Sequence, residues 1–234
     1  IDFADFNDLE SVEKLVTDET CAILVEPLQA EGGIHVGSDD FLIGLRQICD
    51  DHQMLLVFDE IQVGMARTGS LWAYQQYGVE PDIMTLAKAL GGGLPIGVSL
   101  LRQSVADAIE AGDHAATFGA NPVASAAALK VMEKILSEGF IEDVNEKGKR
   151  LKAGLEKLHQ RWPDKINEIR GRGLIQGAVV TDKPAADYLD AFRQRDILVA
   201  PCGIDVVRFL PPLIIDTEQI DEVIDVFDEI LRQE

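Results

Sequence analysis

The residues Met54-Leu55-Leu56-Val57-Phe58-Asp59-Glu60 decide how this chain is read. Apolar side chains run without alternation straight into two carboxylates. A short, continuous apolar run of this kind predicts a strand buried on both faces. A buried strand ending in Asp-Glu suits two chemistries. It can hold magnesium and activate water beside a nucleotide, or it can hold a different cofactor through Asp59. The first needs a phosphate loop of the form G-x-x-x-x-G-K-[ST]. None is present, and Gly91-Gly92-Gly93 has no Lys-Ser or Lys-Thr after it.

Working outward, the first half alternates strand and helix. The sequence predicts a short helix over 8–16, opened by Asn7 with Glu10 three residues on. It predicts a strand in "CAILVEPLQ" that ends at Glu26-Pro27. Ser38 caps a helix with Phe41, Leu42, Leu45, Ile48 and Cys49 on one face. "SLWAYQQYG" reads as a short helix, "PDIMTLA" as a strand ending at Lys88, and "LPIGVSLLR" as another. Asn121-Pro122 opens an Ala-rich helix that stops at Gly139. Alternation of this kind implies an α/β layered domain with a mostly parallel sheet.

From Phe140 the texture becomes that of a smaller α+β unit. "EDVNEKGKRLKAGLEKLHQRW" reads as a charged amphipathic helix. "IRGRGLIQGAVV" and "DVVRFLPPLII" read as strands with a helix in "AADYLDAFRQRD" between them. Asp216 with Gln219 opens a last helix. The division expected is 1–138 for the larger domain and 139–234 for the smaller one.

Bulk properties narrow the partners. The 234 residues carry 41 acidic and 21 basic side chains, a net charge of −20. Such a surface repels phosphate backbones and anionic lipid, so neither nucleic acid nor membrane is an expected partner. Cys21, Cys49 and Cys202 are far apart and odd in number, which fits thiols in a reducing cytoplasm. No metal site is expected. The chain begins at Ile1, and its opening reads as the middle of an architecture, so the expectation is a fragment of a longer protein.

Lys88 is the only lysine between Lys14 and Lys130. It follows an apolar strand and precedes a glycine run. A lysine at a strand exit often does no more than reach water with its ammonium. A lysine there can also form an imine with a carbonyl through its neutral amine. Asp59 and Lys88 lie 29 positions apart, one βα unit. In a parallel sheet both strand ends open on the edge where α/β proteins place ligands. A carboxylate and an imine-forming lysine on that edge suit pyridoxal 5′-phosphate, whose ring nitrogen an aspartate keeps protonated.

At this point the residues resemble a known family. "VEPLQAEGG", "LLVFDEIQVGMARTGSLWAYQQYGVEPDIMTLAKALGGGLPIG", "HAATFGANP" and "VVRFLPPLII" are similar, in order and spacing, to class III aminotransferases of the pyridoxal-phosphate fold-type I superfamily. The resemblance runs the length of the chain. "GDHAATFGANPVASAAAL" and "RGRGLIQG" point to the acetylornithine and succinylornithine branch, with the ornithine and 4-aminobutyrate branches still open.

The resemblance implies an enzyme of arginine biosynthesis that moves the δ-amino group of N-acetylornithine to 2-oxoglutarate. Lys88 would be the catalytic, imine-forming lysine. Asp59 would pair with the pyridine nitrogen, Gln62 with the ring hydroxyl, and Ile61 would pack on the ring face. Thr117 would bind the cofactor phosphate of a neighbouring subunit, making a homodimer with composite active sites. Arg208 would bind a substrate carboxylate. Glu31 would pair with Arg208 when an ω-amine occupies the site and release it for 2-oxoglutarate. Glu26, Arg67 and His114 read as structural, and so does Glu60.

The sequence also departs from the family pattern. "QAEGG" stands where a Gly usually precedes the Glu, "QVG" where Gln-Thr-Gly is common, and "FGANP" where Gly-Gly-Asn-Pro is common. Ala120 matters most if its position needs a positive φ. The family's N-terminal phosphate cup, ring-stacking aromatic residue and donor-carboxylate arginine find no match here. The resemblance therefore implies a C-terminal portion, inactive or very weak alone. Two readings come from different classes: a P-loop-type nucleotide hydrolase, whose phosphate loop would have to lie upstream, and a non-catalytic remnant that only oligomerises.

Overall fold

The computed structural model describes residues 1–233. They form two compact units. The first comprises 1–27, 37–65 and 72–137; the second comprises 28–36, 66–71 and 138–234. Two short segments of the first half thus belong with the second unit. No helix among the described residues is long and apolar enough to cross a membrane.

The first unit is built on a four-stranded sheet. Its strands are β1 (Ala22–Val25), β4 (Leu55–Asp59), β5 (Ile83–Leu86) and β6 (Val98–Leu101), in that spatial order. β1, β4 and β5 run parallel, and β6 is antiparallel to β5. Leu56, Val57 and Phe58 are buried, as a strand covered on both faces requires. Helix α2 (Asp39–Asp51) lays Leu42, Leu45 and Cys49, all fully buried, into one core with Leu56 and Phe58. Ser38 caps α2 by accepting from Phe41 N at 3.1 Å.

One local expectation moves by a residue. Helix α1 (Leu9–Glu13) is capped by Asp8, whose Oδ1 accepts from Ser11 N at 3.1 Å. Asn7 instead sits at φ 65 and accepts from Ser38 N at 2.9 Å. Asparagine tolerates that left-handed backbone better than most residues. It therefore serves the entry to α2 rather than α1.

Asp82 ties the sheet together just before β5. Its carboxylate accepts from Leu56 N at 2.8 Å, from Arg46 of α2 at 2.8 Å and from Arg102 at 3.3 Å. Burial pushes this carboxyl up, yet the Leu56 N–H and the two guanidinium groups outweigh it and hold it below the usual range. The short helix α3 (Gln103–Ala106) follows β6. Helix α4 (Pro122–Ile135) opens with Asn121 Oδ1 accepting from Val123 N and Ala124 N at 3.0 and 3.2 Å. Pro122 falls at its first turn, where no N–H is needed.

The second unit has a sheet in the order β7 (Ile166–Arg172), β8 (Ile175–Val180), β10 (Val206–Phe209), β9 (Ala200–Cys202), all antiparallel. The segment "IRGRGLIQGAVV" is a hairpin rather than one strand. Gly171 and Gly173 sit at φ 118 and 54, and the chain reverses there. Its helices are α5 (Phe140–Arg161), α6 (Ala185–Arg193) and α7 (Thr217–Arg232). Tyr188, Phe192, Phe209 and Phe227 form an aromatic cluster with ring centroids 5.4–5.9 Å apart, mostly edge-on or tilted.

All six residues of β8 are buried. On its Gly177, a Cβ would come within 2.8 Å of Val206 and 3.3 Å of Ile34. Ile34 lies beside the two-stranded ribbon of β2 (Leu28–Gln29) and β3 (His35–Val36). That close approach is why the segment 28–36 belongs to this unit, and it leaves no room for a side chain at 177.

Candidate functional site

In the first unit the chemistry gathers where β4 and β5 end. The two strands are parallel neighbours, with Asp59 directly opposite Thr85, so both side chains lie on one face of the sheet. Asp59 is half-buried, and its Oδ1 accepts from Ile61 N at 2.9 Å. This short turn fixes the carboxylate. Thr85 Oγ1 is buried and has no hydrogen-bond partner among the described residues.

Lys88 begins two residues past β5. It has φ 41, a region that side chains rarely adopt and that clusters at functional positions. Its ammonium Nζ donates to Gln62 Oε1. The turn from Lys88 to Gly91 is tight: Leu90 N bonds to Ala87 O at 2.9 Å and Gly92 N to Ala89 O at 3.1 Å. Gly92 has φ 58, and a Cβ there would come within 3.0 Å of Val131 on α4. The glycine run thus lets α4 press against the lysine-bearing turn. The Lys88 side chain itself is exposed.

Directly behind Asp59, Glu60 is 1% exposed. Its carboxylate accepts from Ala73 N at 2.7 Å and Tyr74 N at 2.8 Å. Burial raises it to about 7, against the pull of those two N–H groups. Glu60 is therefore a structural acceptor, as the sequence implies. Val63, in the Gln-Val-Gly departure, is fully buried core.

Thr117 lies in an exposed segment with His114 and Phe118, the last 83% exposed. The segment walls a cleft of about 520 Å³ also lined by Pro95, Gly97 and Ala124. Ala120 does adopt a positive φ, 54, so the alanine carries strain where the family pattern has glycine.

In the second unit, Arg208 on β10 is buried. Its Nη1 donates to Glu31 Oε1 at 2.9 Å and to Ala30 O at 2.9 Å. The Nε is buried without an acceptor among the described residues. Glu31 keeps a side chain 63% exposed. Arg67 donates to Leu174 O at 2.9 Å and Pro211 O at 2.6 Å, and burial lowers it to about 10. Those carbonyl bonds match its structural reading.

The sequence reading missed Thr85 and Cys202. Thr85 gives no signal beyond its place opposite Asp59. Cys202 lies in a three-residue strand containing Pro201, too short to read as a strand. Among the described residues no cluster of His, Cys, Asp and Glu is arranged to hold a metal ion.

With this geometry in view, comparison with known proteins is decisive. The family described as "Aminotransferase class-III" matches residues 4–231. The chain belongs to this family. Members of the family depend on pyridoxal phosphate. An acetylornithine aminotransferase of Methanocaldococcus jannaschii is 46% identical over 99% of this chain and 58% of its own length. The crystal structure of an N-acetylornithine aminotransferase from Stenotrophomonas maltophilia superposes with a TM-score of 0.88 at 37% identity, covering 97% of this chain and 61% of that one. An ornithine aminotransferase from Toxoplasma gondii superposes with a TM-score of 0.92 at 32% identity, covering 98% and 56%. The chain thus spans a little under three-fifths of the length of the curated relatives it matches.

Proposed function

We propose that this class-III aminotransferase chain serves the transfer of the δ-amino group of N-acetylornithine to 2-oxoglutarate. The observation that carries the reading is the edge of β4 and β5. There a lysine on a strained backbone is held by Gln62, one strand over from Asp59. The acetylornithine names among the relatives support the choice of donor.

Pyridoxal phosphate, when bound, supplies an aldehyde to capture the amine and a protonated ring to withdraw electrons from the carbon that bore it. The residues present fit such a group. A carboxylate suited to a ring N–H and an orphaned hydroxyl at Thr85 share one face of the sheet. Asp59 would hold the proton on the ring nitrogen. Gln62 would turn its amide from Lys88 to the ring hydroxyl. Ile61 would pack on the ring. The amine of Lys88 would carry a proton from the carbon bearing the δ-amino group to the former aldehyde carbon of the cofactor, and in the second half of the cycle would carry one from that carbon to the keto carbon of 2-oxoglutarate. Thr117 would meet the phosphate of a neighbouring subunit. The exposed Phe118, Val123 and Leu129 support a homodimer covering this surface.

Arg208 would hold a carboxylate of 2-oxoglutarate with its planar fork. While the amino donor occupies the site, Glu31 would neutralise that guanidinium, so no buried charge is left unpaired. Its unpartnered Nε fits a group that takes different acceptors at different stages. The three free thiols support a cytoplasmic setting.

The test adds pyridoxal phosphate to the full-length protein, reduces with borohydride and maps the label by mass spectrometry. Label on Lys88 is expected; label on another lysine overturns the assignment. Parallel assays with N-acetylornithine, ornithine and 4-aminobutyrate decide the donor. Faster turnover of ornithine would move the protein to that branch.

A further inference from the structure

The loop from Ala30 to Gly33 is held from two adjacent strands of its own unit. From β10, Arg208 Nη1 reaches Ala30 O and the Glu31 carboxylate. From β9, Cys202 Sγ accepts from Gly33 N at 3.0 Å and faces Ala30 O at 3.1 Å and Glu31 O at 3.2 Å as a donor. The two strands are in antiparallel register, with Cys202 opposite Val206 and Ala200 opposite Arg208. Cys202 is 2% exposed, Ala30 and Ile34 are fully buried, and Gly33 turns at φ 114.

These contacts divide the labour around Glu31. The sulfur holds the backbone on both sides of the residue, and only the carboxylate reaches outward. A thiol can accept an N–H and donate its own proton at once. One side chain therefore satisfies the buried Gly33 N–H, which would cost stability if left unpaired, and adds a second donor to the carbonyls of the loop. An anchored backbone lets the carboxylate leave Arg208 by side-chain rotation and return to the same place. A loose backbone would carry Glu31 away with the loop and shift the Ala30 carbonyl that Arg208 also uses.

We propose that Cys202 is a positioning residue for the Glu31–Arg208 pair, fixing the loop so that the pair can open and re-form between the two half-reactions. This rests on the roles of Glu31 and Arg208 proposed above. Loosening the loop weakens neutralisation of Arg208, which matters while the amino donor is bound. It leaves Arg208 available to 2-oxoglutarate.

The experiment measures kcat/KM separately for N-acetylornithine and for 2-oxoglutarate in the full-length protein. Cys202→Ala removes both hydrogen-bonding roles, and Cys202→Val removes them while filling the space. Whichever folds is expected to lose about tenfold in kcat/KM for the donor and less than twofold for the keto acid. Cys202→Ser, which keeps a donor and an acceptor, is expected to restore most of the loss. Glu31→Gln is run beside them. If Glu31→Gln splits the two constants and the cysteine variants do not, the positioning role is overturned alone. If Glu31→Gln gives no split, the reading of the pair itself fails. Equal losses for both substrates, or no rescue by serine, would make Cys202 an ordinary packing residue.

Discussion

The two units hold their key cation in opposite ways. In the first, Lys88 is exposed and its position is set by backbone: φ 41, a tight turn and a glycine run under α4. In the second, Arg208 stands on a regular strand and its position is set by burial, with Glu31 and the Ala30 carbonyl as acceptors. The role proposed for Lys88 fits this arrangement: an imine-forming amine would have to change partners and covalent state, with a fixed root and an accessible tip. For the clamp proposed at Arg208, burial on a regular strand holds the planar fork in one orientation. The difference teaches where to look for each kind of group: the first in strained turns at strand ends, the second among buried arginines with an exposed carboxylate partner.

The strongest way to break this comparison is Lys88→Ala. Loss of the amine should abolish borohydride labelling and reduce transamination by at least about 10²–10⁴-fold, the scale of a positioned acid–base group. Folding should be little changed, because the side chain is exposed. Circular dichroism and turnover on the same preparation check both halves. A large loss of stability would mean that Lys88 supports the turn rather than the chemistry.

Arg208→Lys tests the other pole. The charge remains, but the planar fork is lost and lysine cannot reach Ala30 O and a carboxylate in the same geometry. Apparent affinity for 2-oxoglutarate should fall by about 2–3 kcal/mol, the scale of a charged hydrogen-bonded pair. Here, unlike Lys88, stability should fall too, because the site is buried. Unchanged affinity for the keto acid removes Arg208 from the clamp.

Much of this contrast is legible in the chain itself. The apolar run 54–58, the Asp59 to Lys88 spacing and the Asn121-Pro122 helix start all depend on local patterning, and the structure reproduces them. What the chain hides is non-local. Residues 28–36 and 66–71 join the second unit because Ile34 meets Gly177 and Arg67 meets the carbonyls of Leu174 and Pro211, partners more than a hundred positions away. The hairpin at Gly173 reads as one strand until its two positive-φ glycines are seen. Cys202 looks like a solitary thiol until the loop it holds is in place. Patterning reveals a strand's burial but not its partner.

The carboxylate behind Asp59 gives the first unit a pH signature. The folded chain raises Glu60 from its ordinary 4.5 to about 7. It therefore keeps a proton that the unfolded chain releases as pH rises from about 4.5 to about 7. Stability should fall across that window and level off above it, by on the order of 3 kcal/mol in total. Glu60→Gln carries no titrating group and should flatten the profile. Urea midpoints at pH 5 and pH 8 for both chains measure it. An equal pH dependence in the variant would show that another group sets the slope.

The smallest effects come from two residues that share a backbone strain and differ in burial. Ile34 in the second unit and Ala120 in the first both sit in the left-handed region, at φ 55 and 54. A non-glycine residue loses roughly 1–2 kcal/mol there. Glycine relieves that cost at either position but makes the unfolded chain more flexible, which takes back part of the gain. At Ile34 the substitution also removes a fully buried side chain, worth about 2–5 kcal/mol. Ile34→Gly should therefore destabilise by about 2 kcal/mol. At Ala120, in an exposed segment, nothing packed is lost, and Ala120→Gly should stabilise by no more than about 1 kcal/mol, a rise of a few degrees at most in the unfolding midpoint. Thermal unfolding of the two variants side by side reads the signs directly. Stabilisation by both substitutions would mean that backbone strain outweighs burial in the loop around Glu31, and the division between a turn-set lysine and a burial-set arginine would have to be redrawn.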